Sequence, residues 1–227
     1  MKQQYENRTR LMLPRRTYTI IRCDGKAFHT YTRQCSKPFD YRLYAAMTAA
    51  TSMLCSQAQG SVLGYTQSDE ISILLTDFAD IKTEAWFDGN VQKIVSVAAS
   101  LVTDAFNTEA RCRGLVGAAY FDARVFTIPD PAEVENYFIW RQQDATRNSI
   151  QSLAQAHFSH RQLQGVNNVA VQELLFTERG INWNDCPTVE KRGACMVEEL
   201  EGWAVDSEIP IFTQDREYLK KRIARYV

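Results

Sequence analysis

Asp24, Asp69 and Glu70 are acidic residues whose settings suit chemistry. Asp24 follows the β-branched and aromatic run Arg16-Thr-Tyr-Thr-Ile-Ile-Arg-Cys23 and precedes Gly25. Asp69 and Glu70 close the polar piece Gln67-Ser68-Asp69-Glu70 between two short apolar runs. Carboxylates at a strand end and on a neighbouring hairpin can share divalent cations. Magnesium prefers oxygen ligands and takes one or two carboxylates together with substrate phosphates. Two such ions activate an attacking oxygen and stabilise a leaving pyrophosphate, which is what a palm-type polymerase site needs. A structural reading fits the same spacing: Asp-Gly after a strand makes a turn, and Ser-Asp-Glu makes a solvated hairpin tip. Spacing alone leaves both readings open.

The elements that must position these acids are legible from periodicity. Residues 16–23 form a buried strand, and Asp24-Gly25 ends it. Leu43, Met47, Ala50 and Leu54 recur at helical spacing over 40–57, with Gly60 as a stop signal. Strands over 62–66 and 71–76 flank the acidic tip as a hairpin. A second helix is predicted over 83–106, on Phe87, Val91, Ile94, Val95, Ala98, Leu101 and Val102. Strand pieces at 118–121 and 124–128 precede the break Pro129-Asp130-Pro131, and a third helix covers 132–156. Strand, helix, hairpin, helix, strand is the ferredoxin-like order: an α+β fold with an antiparallel sheet and helices on one face. In that sheet the first strand neighbours the hairpin, so the acids converge. Residues 1–157 are expected to form this core. Residues 158–227 are expected to form a mainly helical C-terminal extension packed on it.

With 227 residues, 45% hydrophobic and 23% charged, the chain can bury a core without disulfide staples. Its six cysteines show no CxxC pair and read as reduced thiols of a cytosolic-type compartment. The start MKQQYENRTR lacks the apolar core of a signal peptide, and no apolar stretch is long enough to cross a bilayer. A soluble, cytoplasmic protein is therefore expected. The net charge of −1 hides two basic clusters: Arg8, Arg10, Arg15 and Arg16, and Arg216, Lys220, Lys221, Arg222 and Arg225. They read either as solvated termini or as a split surface for phosphates.

Ordered motifs surround the acids. Cys23-Asp24-Gly25-Lys26-Ala27-Phe28-His29 resembles the DGxxFH segment of the tRNA-His guanylyltransferase family. Lys37-Pro38-Phe39-Asp40-Tyr41-Arg42 resembles its KPxDxR segment, and Gly64 to Glu70 its GxSDE hairpin. Phe121-Asp122-Ala123-Arg124 is similar to its FDxR strand, and Trp140-Arg141-Gln142-Gln143-Asp144 to its WRQxD helix. Leu163-Gln164-Gly165 and Glu173-Leu174-Leu175-Phe176 fit its LQG and NEILF pieces. The matches run in order over about 18–193.

The resemblance implies a palm-like core and 3′–5′ nucleotide addition. An RNA 5′ end is activated by a nucleoside triphosphate, generally ATP, and is then attacked by the 3′-hydroxyl of an incoming nucleotide such as GTP. It implies two Mg2+ ions on Asp24, the Gly25 carbonyl and Asp69, with Glu70 in support. It places Lys26, Phe28, His29, Lys37, Asp40 and Ser68 around the activating nucleotide. Lys93 is a further candidate for phosphate contact, and Arg141, Arg147 and Asn148 are candidates for RNA contact. Arg22, alternating with Cys23, faces either phosphates or solvent. A homotetramer binding tRNA across subunits is implied as well.

One stretch departs from the pattern. Where the eukaryotic tRNA-His enzymes carry HINNLYN after WRQxD, this chain has the stretch Asp144-Ala145-Thr146-Arg147-Asn148-Ser149-Ile150. Thr146 takes the histidine position, only Asn148 of the paired asparagines remains, and Arg147 replaces an apolar residue. The same loss resembles the guanylyltransferase-like branch, whose members extend 5′-truncated RNAs against the opposite strand. Templated 5′-end repair is thus expected ahead of single-G addition to tRNA-His. A palm-fold nucleotide-binding protein without 5′ addition is the third reading.

Overall fold

The computed structural model describes residues 1–223. Arg225 of the C-terminal basic cluster lies outside the described residues. The chain runs through β1 (Tyr18–Gly25), α1 (Phe28–Tyr31), α2 (Tyr41–Gln57), β2 (Ser61–Gln67) and β3 (Glu70–Leu75). It continues with α3 (Val91–Cys112), β4 (Phe121–Ile128), α4 (Pro131–His157), α5 (His160–Leu163) and α6 (Asn168–Arg179). It closes with α7 (Thr188–Arg192), β5 (Ala194–Glu199), β6 (Gly202–Asp206) and α8 (Glu217–Ile223). One six-stranded sheet, ordered β4-β1-β3-β2-β5-β6, holds every named strand, and all pairings are antiparallel.

The first four strands have the expected ferredoxin-like order. Helices cover both faces of the sheet, however, where one covered face was expected. Against one face, Ile21, Cys23, Ile71 and Ile73 pack with Met47 and Leu54 of α2 and with Ile94, Val102 and Phe106 of α3. Against the other, Tyr18, Ile20, Leu63, Tyr65 and Leu74 pack with Val134 and Phe138 of α4 and Leu219 of α8. The reason lies in β3, which is buried at all its positions and has no solvent face. A third apolar cluster joins the C-terminal half of α4 to α6 through Ile150, Leu153, Val171 and Leu175.

The second helix begins later than its periodicity predicted. Phe87 and Asp88 have positive φ (50° and 54°), so the chain turns there instead of coiling. Asn90 then caps α3 by accepting from the Lys93 backbone N–H at 3.1 Å. The C-terminal extension is helical as expected but also carries the β5–β6 hairpin, which joins the sheet through β2. β5 (ACMVEE) and β6 (GWAVD) are short and show no clean apolar–polar alternation, so a periodicity reading passes over them.

Candidate active site

The sheet register builds the site. Asp24, near the end of β1, pairs with Glu70 of β3 on one side and Asp122 of β4 on the other. Directly opposed residues share a face, so three carboxylates line one row. The β2–β3 hairpin turns on only Ser68 and Asp69, with Gln67 opposite Glu70. Ser68 holds a positive φ of 50°, a conformation costly for a side chain other than glycine and concentrated at functional sites. The Gly25 N–H donates to the Asp69 carbonyl at 3.1 Å, tying the hairpin tip to the end of β1. The Ser68 hydroxyl donates to Asp69 Oδ1 at 3.2 Å. Burial, and then the Asp24 charge, push the Asp69 carboxyl above its ordinary range.

Behind the row stands an ion-pair chain. Arg22 lies two residues before Asp24, on the same face, and one of its guanidinium nitrogens serves both Asp24 Oδ2 (3.1 Å) and Glu70 Oε2 (3.0 Å). Arg141 of α4, only 3% exposed, donates to the same Glu70 oxygen at 3.1 Å and also reaches Asp144. Asp144 is shared with Arg147, which is 60% exposed. The Ser72 hydroxyl approaches the other Glu70 oxygen at 3.5 Å and bonds the Tyr137 hydroxyl at 2.7 Å. Burial pushes Glu70 up while Arg141 and Arg22 pull it down. Glu70 is therefore fully occupied as a holder of Arg22. Arg141, expected as an RNA contact, is instead an internal clamp: its guanidinium is buried against Glu70, Asp144 and the Trp140 ring.

The turn after β1 sorts the next candidates. Lys26 and His29 are exposed, and the Lys26 N–H donates to the Tyr120 carbonyl at 2.8 Å. Phe28 corrects the sequence reading. Its ring is buried among Tyr31, Phe106 and Phe121, with centroids 5.3 to 5.5 Å apart, and cannot stack on a base. It lies against Gly25 so closely that a Cβ there would sit 2.2 Å from the ring.

Lys37, Asp40, Ser68 and Asn148 do come together. They line a cleft of about 300 Å3 between the start of α2, the hairpin tip, α4 and α7. Lys37 and Asn148 are exposed there. Asp40 is committed elsewhere: it accepts from the Ser36 and Arg42 N–H groups and from the Arg42 side chain, capping α2. Its hydrogen bond with Arg42 holds it well below the usual carboxylate range. The structure does not bring Lys93 to the acids within this chain. Its neighbour Ile94 packs near Thr19 and Leu75, at the far end of the sheet, and its ammonium sits 5.9 Å over Phe87. Arg15 is likewise at that end, paired with Asp77 at 2.6 Å. Arg216 lies 3.8 Å from Glu135, and Arg222 stacks on Tyr218.

Sequence reasoning missed Asp122, Asp144 and Tyr137 as parts of the site. The signals were present: Arg22 and Asp24 share a strand face, and Arg141 and Asp144 are three apart on a helix. Glu190 and Gly193, which close the cleft from the extension, carried none. Among the described residues no cluster of three or more His, Cys, Asp or Glu side chains makes a ready metal cage. The candidate donor set is smaller: Asp24, Asp69 and the Gly25 carbonyl, all oxygen, with the Asp24 charge adding to the need of Asp69 for a countercharge. That set fits magnesium completed by substrate phosphates.

A model of the family described as Thg1, tRNAHis guanylyltransferase, matches residues 1–129. The chain is 32% identical over 212 residues to a tRNA(His) guanylyltransferase of Schizosaccharomyces pombe, covering 87% of this chain and 78% of that one. Among solved structures it is similar to a bacterial tRNA(His) guanylyltransferase (Thg1)-like protein in complex with ATP. The TM-score is 0.94 at 46% identity, covering 97% of this chain and 96% of the other. A GTP complex of a protein of the same description matches with TM-score 0.86 at 43% identity, over 97% and 96% of the two chains.

Proposed function

This chain belongs to the tRNAHis guanylyltransferase family, and we propose that it is a Mg2+-dependent, template-directed 3′–5′ nucleotidyltransferase that rebuilds the 5′ ends of truncated tRNA or tRNA-like RNA. The observation that carries the templated reading is Thr146. It stands on α4 between Asp144 and Arg147, at the position where the tRNA-His enzymes carry histidine. When base pairing with the opposite strand chooses the nucleotide, the protein needs only to hold RNA shape and phosphates.

The chemistry has two displacements. A 5′-phosphate oxygen attacks the α-phosphorus of ATP, and pyrophosphate leaves. The 3′-hydroxyl of an incoming nucleotide then attacks the activated 5′-phosphate, and AMP leaves. Asp24, Asp69 and the Gly25 carbonyl would hold Mg2+, which when bound supplies Lewis acidity to the attacking oxygen and countercharge to the leaving group. Glu70 and Arg22 orient Asp24. Lys37, Ser68 and Asn148 line the cleft for the triphosphate-bearing nucleotide, ATP or GTP, which the similar solved structures hold. Lys26 and His29, exposed just beyond the acids, face the phosphates. The working unit is a homotetramer, checked by light scattering of the purified chain.

The test uses Mg2+, nucleoside triphosphates and tRNAs lacking their first nucleotide, with tRNA-His included with and without its extra G. Templated extension on several tRNAs is the expected result. G addition confined to tRNA-His would overturn the repair reading, and no 5′ addition on any RNA would overturn the activity. Asp24→Ala and Asp69→Ala should each abolish addition with an unchanged circular-dichroism spectrum. Activity in either variant would refute the metal assignment.

A further inference from the structure

The row of acids has two flanks. On the β2 side opens the cleft lined by Ser68 and Asn148. On the β4 side stands Trp140, an indole left 48% exposed although its neighbours Tyr137 and Arg141 are almost wholly buried. Its position follows from the packing. Phe126 of β4 touches Tyr137 at 5.6 Å between ring centroids, and Tyr137 touches Trp140, one helical turn nearer the acids, at 6.0 Å. Arg124 is the next same-face residue of β4 in the same direction, before Asp122.

The indole is held rigidly. The Arg141 guanidinium lies 3.9 Å from the ring centroid, covering one face, and the Tyr137 ring meets it at 67°. Both supports belong to the chain that fixes Glu70. A flat aromatic surface that is already ordered binds a partner with little further loss of side-chain freedom. Exposed cations flank it. Arg147, paired with Asp144, is two turns further along the same stripe of α4, about 10 Å at the helical rise, and Arg124, paired with Asp122 at 3.1 Å, is still 52% exposed on the strand edge. An aromatic platform with interleaved arginines is the physical pattern of a single-stranded nucleic-acid seat.

We propose that Trp140 stacks on the terminal base of the RNA end being extended, with Arg147 and Arg124 taking flanking phosphates. The proposal rests on the reading above that RNA is the substrate. It separates the two substrates by flank: the activating nucleotide in the cleft, the RNA end on Trp140, and the acids between them.

The probe is an RNA hairpin shaped like a tRNA acceptor stem with 2-aminopurine as its 5′-terminal base, and a twin with the fluorophore three base pairs inside. Both are titrated with the full chain without nucleotides. The terminal probe should change its emission on binding and the internal one should not. Trp140→Leu should lose that change and bind the hairpin about tenfold or more weakly. Trp140→Phe should keep most of both, and ATP affinity by calorimetry should be the same in all three proteins. Arg147→Gln should reduce the salt dependence of binding by about one phosphate contact. Equal response from the two probes with the unaltered chain overturns the proposal, as does a Trp140→Leu variant with undiminished terminal response. A smaller mass for Trp140→Leu by light scattering also overturns it, because the indole would then seat a second copy of the chain. An intact terminal response with no 5′ addition on any RNA would retire the repair reading and leave the platform standing.

Discussion

At the scale of single residues the site is governed by sharing. One Arg22 nitrogen serves two carboxylates, and one Glu70 oxygen serves two guanidiniums. Arg141 is the least replaceable member, because without it Glu70 keeps its burial and loses half its countercharge. Arg141→Met should lower unfolding stability by about 3–5 kcal/mol in urea titration, as breaking a buried pair does. Addition should fall with it as Arg22 is drawn off Asp24. Gly25 illustrates a different constraint. Its φ is ordinary, yet Gly25→Ala drives a methyl into the Phe28 ring. A cost of about 1–3 kcal/mol is expected, and Phe28→Leu in the same chain should recover part of it. A Gly25→Ala variant as stable as the parent would show that the ring moves freely. Phe28 also shows what motif matching cannot see: a residue inside a binding motif can serve it purely by packing.

At the scale of elements, caps and turns set where the site residues fall. Asp40 opens α2 and holds the loop carrying Lys37 through the Ser36 N–H. Asp40→Asn keeps the cap but loses the charge opposite Arg42. Because the folded carboxyl is held below its ordinary range, its stabilisation is fully present above the unfolded value near 3.9. It is lost as pH falls toward the folded value. The stability difference between parent and Asp40→Asn should therefore be up to about 1 kcal/mol at pH 7, the scale of a partly exposed ion pair, and should shrink below about pH 4. A difference that grows on acidification would contradict the sign. Most elements were legible in sequence because their apolar periods are clean. The start of α3 was not, since Phe87 continues the helical period while its backbone is left-handed. The period records which side chains are apolar, not the φ of the residues that carry them.

At the scale of the whole molecule, the acids were found by motif and the order of strands by pattern, but the closure of the cleft was not. Glu190 and Gly193 reach it because β5 pairs with β2, a long-range contact without local signature. Tyr65, whose hydroxyl donates to the Arg192 carbonyl at 2.7 Å, fastens the two regions. Tyr65→Phe should loosen that junction by about 1 kcal/mol and weaken ATP binding in calorimetry, while leaving the helical content unchanged. Unaltered ATP affinity would separate the junction from the cleft. Among the described residues no helix is long and apolar enough to cross a membrane. The pairing of β2 with β5 also bears on how the chain comes to exist. During synthesis β1 to β4 emerge together, and the catalytic row can assemble from them. The free edge of β2 then waits for a strand made much later. A bare, apolar strand edge invites pairing with other chains, and late non-local pairing is slow. The nascent chain thus carries its acids before it carries their shelter, and the β5–β6 hairpin, translated after them, is the one that ends that edge's exposure to aggregation.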